Sequence, residues 1–98
     1  MNIIEFKMVS KYEFEGVVVN FKSKFSIKGD FKTSNQDYPN EKVPLYASTV
    51  NFKLYDKNGK IFNRMAENEH QELEEILNDK IDEIIESNPH PYFDIDDK

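Results

Sequence analysis

The sequence contains no cysteine. Disulfides, thiolate zinc sites and cysteine nucleophiles are thereby excluded. Glycine is scarce: Gly16, Gly29 and Gly59 stand far apart, so the chain has no Gly-rich loop to cradle phosphate. Histidine is scarcer. His70 and Glu74 have the i,i+4 spacing that can share a metal on a helix, but no third ligand is near, and His90 stands between prolines. No Ser–His–Asp set has supporting context. Acidic pairs abound, yet they fall on a helix face expected to be exposed, where nothing would shift their pKa values. The expectation is a non-enzyme with no catalytic residue, no metal and no cofactor.

Long apolar runs are missing too. None approaches the ~20 residues that cross a bilayer. The first residues carry Glu5 and Lys7 inside their apolar stretch, unlike a secretory signal. No membrane contact is expected, and the cytoplasm is the expected location.

The composition fits one domain of 98 residues, near the usual domain size. Eight Phe and five Tyr supply the large apolar surfaces that disordered chains lack. A chain this short buries a thin core, and a homodimer would thicken it.

Charge divides along the chain. Residues 1–60 hold ten Lys against seven Asp/Glu, whereas residues 61–98 hold three Lys/Arg against twelve Asp/Glu. A basic part before an acidic part points to internal pairing or to two faces with different partners.

Apolar residues repeat every second position in the first part. Ile4, Phe6 and Met8 share one face of a first strand. From Val17 to Ile27, Val17, Val19, Phe21, Phe25 and Ile27 take one face, and Asn20, Lys22, Lys24 and Lys28 take the other. That alternation predicts one half-buried strand ending at Gly29-Asp30. Gly16 marks a change of phase from Tyr12 and Phe14, as a bulge or turn would produce. Residues 30–44 read as a long polar loop with two prolines. Residues 45–55 form the next strand, with Tyr46, Val50, Phe52 and Leu54 inward and Thr49, Asn51, Lys53 and Tyr55 outward. Asn58-Gly59 then predicts a hairpin into Lys60-Ile61-Phe62.

The period changes to that of a helix in the acidic part. Leu73, Ile76, Leu77, Ile81, Ile84 and Ile85 recur at three and four. Asn68 and Gln71 suit an N-cap and capping box, and Asn88-Pro89 stops the helix. The expected fold is therefore α+β: an antiparallel sheet of about four strands with one long C-terminal amphipathic helix packed on one face. Residues 1–88 make the domain, and residues 89–98 an acidic, aromatic tail that packs back through Tyr92 and Phe93 or stays disordered.

Two surfaces carry the functional expectations. On the helix, Glu75, Asp79, Asp82, Glu83 and Glu86 lie off the apolar stripe, and Lys80 is the one Lys or Arg between Met65 and Asp97. Like charges at i,i+4 weaken a helix, so this ridge points to a basic protein partner, bound as an inhibitor or adaptor would bind it. The alternative is single-stranded nucleic acid on the open sheet face, through Lys22, Lys24, Lys28 and Lys53 with Tyr55 as a stacking residue.

Overall fold

The computed structural model describes residues 1–20, 23–39 and 44–93. Phe21 and Lys22, residues 40–43 of the expected loop, residues 94–98 of the tail and the side chains of His90 and Phe93 lie outside the description.

Five strands form one antiparallel sheet in chain order: β1 (Asn2–Met8), β2 (Glu13–Asn20), β3 (Ser23–Thr33), β4 (Ala47–Tyr55) and β5 (Ile61–Phe62). A single turn of helix, α1 (Ser34–Asp37), lies between β3 and β4. The long helix α2 (Glu67–Ser87) comes after the sheet and covers one face, and a short α3 (His90–Phe93) ends the described chain. The fold is α+β, with one strand more than the alternation suggested.

The extra strand comes from the segment expected to be a single strand. Val17–Ile27 is divided between β2 and β3, with Asn20 paired to Ser23, Val18 to Phe25 and Gly16 to Ile27. In this register an even-numbered residue of β2 shares a face with an odd-numbered residue of β3. Phe14 and Val18 are therefore buried with Ile27 and Phe31. Val17 and Val19, expected in the core, sit opposite Ser26 and Lys24 on the other face. Asn20, expected beside the lysines, faces α2 instead. Gly16 marks no change of phase: a Cβ there would fall 2.4 Å from the Glu5 carbonyl oxygen, so the residue is fixed by the close approach of β1.

β1 departs from expectation for a related reason. Ile3 pairs with Val18 and Glu5 with Val17, which leaves Ile4 as the extra residue of a bulge, 50% exposed. Ile3 takes the inward place beside Phe6 and Met8, and the Phe6 ring stacks on Phe14 at 5.3 Å.

β3 does not stop at Gly29-Asp30 but runs on to Thr33, burying Phe31. Local polar bonds order the turn after it. The Thr33 N–H donates to Gln36 Oε1 at 2.9 Å, closing the start of α1. Ser34 is buried and satisfied on both sides: its N–H donates to the Tyr46 carbonyl at 2.8 Å, and its Oγ donates to the Pro44 carbonyl at 2.7 Å. β4 then begins at Ala47, which leaves Tyr46 outside the strand and exposed. Val50 and Leu54 face the core as expected. The β4–β5 hairpin is also as expected. Gly59 has φ +81°, and the Asp56 carboxylate accepts the N–H groups of Asn58 and Lys60 at 2.8 and 3.0 Å.

α2 starts slightly earlier than its sequence signal. Its N-cap is Ala66, not Asn68, and Glu69 rather than Gln71 reaches back to accept the Ala66 N–H at 3.2 Å. Leu73, Leu77, Ile81 and Ile85 make the buried row at i,i+4, with Ile76 and Ile84 half-buried beside it. Full burial of each such side chain contributes roughly 1.5–3 kcal/mol. Tyr92 of α3 also joins the core. Among the described residues no helix is long and apolar enough to cross a membrane.

Candidate partner-binding surfaces

α2 lies with its aliphatic row on the sheet, so its remaining faces carry the carboxylates. Glu75, Asp79, Glu83 and Glu86 are exposed, as are Glu67, Glu72 and Glu74. The last turn holds no basic residue to offset the negative end of the helix dipole. Little within the described residues neutralises this ridge. The one ion pair among them joins the Met1 amino group to Glu72 at 3.8 Å.

Two acids of the helix are used internally. The Glu69 carboxyl is held below its ordinary pKa by the Asn20 amide, which donates at 3.0 Å, and by the Ala66 N–H. Asp82 is half-buried and accepts the Ala47 N–H at 2.8 Å. Of the five ridge residues expected from sequence, the structure thus presents Glu75, Asp79, Glu83 and Glu86 to solvent and turns Asp82 toward the sheet. No local signal marks Asp82 for this, because its partner is 35 residues away.

The opposite surface is the sheet face that α2 leaves open. Register places Lys24, Lys28, Lys53 and Tyr55 together there, with Lys28 directly across from Lys53. Lys28 Nζ lies 5.7 Å from the centre of the Tyr55 ring, a cation–π contact. Lys22 lies outside the described residues. Acids are interleaved with these lysines. Glu15 sits between Lys7 and Lys28, and Glu5, Glu13 and Asp30 occupy the same face. The local field is therefore mixed in sign rather than uniformly basic.

His70 stacks on Phe52, ring centres 4.7 Å apart, so its place is beside the sheet. Nearer the start of β4, Asp37 accepts hydrogen bonds from the hydroxyls of Ser48 and Thr49. Those bonds, with Lys32 nearby, hold its carboxyl below the ordinary range. Nothing in the residue pattern pointed to this cluster, which α1 and a register shift between β3 and β4 assemble.

No family model, curated protein or solved structure matches the chain.

Proposed function

We propose that this is a small non-catalytic cytosolic binding protein whose acidic helix face engages a basic surface of another protein, as an inhibitor or adaptor does. One observation carries the reading: α2 presents exposed carboxylates along its length, with Lys80 the only Lys or Arg on the helix. Glu75–Asp79, Asp79–Glu83 and Asp82–Glu86 are like-charged at i,i+4, and each such pair opposes the helix by roughly 0.2–0.5 kcal/mol. A basic partner removes that repulsion and gains from a rigid, pre-formed ridge. A homodimer belongs to the same reading, since so short a chain has a thin core.

The test is capture from host lysate, with and without nuclease, and then binding of the captured protein alone. A basic protein should bind wild type more weakly as salt rises and should lose Glu75→Lys/Asp79→Lys/Glu86→Lys. Undiminished binding by that triple variant rejects the reading.

A second reading, single-stranded nucleic acid on the open sheet face, is favoured by the grouping of Lys24, Lys28 and Lys53 around Tyr55. It requires oligonucleotide affinity that falls steeply with salt and disappears in Lys22→Glu/Lys24→Glu/Lys53→Glu.

A further inference from the structure

The two edges of the sheet are unequal. β5 is two residues long, too short to template another strand, whereas β1 offers seven residues with β2 on one side and, among the described residues, no strand on the other. Exposed main-chain edges of that length recruit other strands unless they are blunted.

Three features of β1 select its occupant. The first is backbone direction. The Glu5 carbonyl is turned toward β2, where it crowds Gly16, so alternation along the strand turns the N–H and C=O of Phe6 outward. The second is charge. Glu5 and Lys7 are exposed and lie on the same face, two positions apart. An antiparallel copy centred on Phe6 sets each Glu5 against the other copy's Lys7, and Phe6 against Phe6. Centring on Glu5 or Lys7 would instead oppose like charges. The third is apolar exposure. Ile4 and Val9 flank this segment at 50% and 48% exposure. Below the edge, Phe6 and Ile84 floor a groove of about 470 Å³, with Lys80 and Glu83 among its lining. One charge of each sign on that rim is again complementary to itself across a two-fold axis.

We propose that β1 pairs with β1 of a second copy of this chain, antiparallel about Phe6, joining the two sheets into one of ten strands. The bulge at Ile4 ends the ladder and keeps it short. The β1 pairing gives the homodimer of the proposed function its interface, and the surface is separate from the Glu75–Asp79–Glu86 ridge, so loss of the dimer and loss of basic-partner binding are distinguishable.

Sedimentation equilibrium of the full chain tests it. Wild type should show a concentration-dependent monomer–dimer equilibrium. Glu5→Lys alone or Lys7→Glu alone turns both symmetry-related pairs repulsive and should weaken the dimer about tenfold. Both positions are exposed, so the variants should keep the wild-type circular dichroism. Mixing the two variants restores opposite charges and should recover dimers as heterodimers, and the double variant Glu5→Lys/Lys7→Glu should recover homodimers. A wild type that stays monomeric at every concentration overturns the proposal. So does a dimer indifferent to either single change, or a mixture that fails to recover. The helix triple variant should leave the dimer intact.

Discussion

Asp82, in the second half of α2, accepts the backbone N–H of Ala47, the first residue of β4, at 2.8 Å. The bond crosses from helix to sheet and satisfies a main-chain donor on a residue only 3% exposed. One carboxylate of an otherwise solvent-facing acidic series is thus a structural anchor. Glu75, Asp79, Glu83 and Glu86 of the same series are exposed.

Replacing Asp82 should therefore act on stability and not only on charge. In Asp82→Ala the Ala47 N–H loses its acceptor while buried, a loss of about 1–3 kcal/mol. Asp82→Asn retains an acceptor oxygen and should lose about 1 kcal/mol or less. Urea unfolding of the two variants beside wild type measures the difference. Equal losses would mean that the bond contributes little.

The neighbouring Asp79 should behave in the opposite way. It is exposed and lies one helical turn from both Glu75 and Glu83. Asp79→Lys replaces two repulsive pairs by two attractive ones and should raise stability by roughly 0.8–2 kcal/mol. The gain should shrink in high salt, as surface electrostatics are screened. Urea midpoints at low and high ionic strength check both parts. A more stable variant that no longer binds would show a ridge retained at the expense of the helix.

The contrast between these two aspartates shows where sequence reasoning reaches. The helix was legible because Leu73, Leu77 and Ile81 repeat with the helical period, and that period is a local property. The β4–β5 hairpin was legible because Asn58-Gly59 is itself a turn signal. The β2–β3 reversal was not. Neither Phe21 nor Lys22 is a turn-forming type, and the alternation from Val17 to Ile27 is interrupted only at Ser23, which a continuing strand accommodates as readily as a reversal. The reversal flips the phase, so Val17 and Val19 exchange faces with Val18. The acidic ridge could be read from composition. Removing Asp82 from it required knowing that β4 begins beneath that turn of the helix.

Acid should unfold the protein partly through Asp37. The hydroxyl of Ser48 holds its carboxyl below the ordinary value of 3.8, with Thr49 next and Lys32 adding a smaller effect. A carboxyl depressed in the folded state stabilises above its unfolded pKa and loses that stabilisation as pH falls through the folded value. Asp37→Asn removes the titration while keeping an acceptor. The stability difference between wild type and Asp37→Asn should be constant near neutrality and should narrow once pH drops below 3.8. Urea midpoints taken from neutral pH to about pH 2 track it. A difference that does not change with pH would remove Asp37 from the acid response.

Tyr92 makes the last test, because it decides whether the chain beyond α2 belongs to the folded body. Its side chain is 6% exposed. The ring meets Tyr12 and Phe31 with centres at 5.7 and 6.1 Å, and its hydroxyl donates to the Lys11 carbonyl at 3.1 Å. The Asn35 amide donates to the Tyr92 carbonyl at 2.8 Å. The residue thereby ties the β1–β2 connection, β3 and α1 to the C-terminal segment. Tyr92→Phe removes one hydrogen bond and should cost about 0.5–1.5 kcal/mol. Tyr92→Ala empties the site and should cost about 3–5 kcal/mol, a large share of the ~5–15 kcal/mol that holds an ordinary domain together. A chain ending at Asn88 should lose at least as much as Tyr92→Ala, and its amides in β3 should exchange hydrogen faster. Should the shortened chain unfold at the wild-type urea concentration, α3 adds nothing to the core and the domain ends with α2.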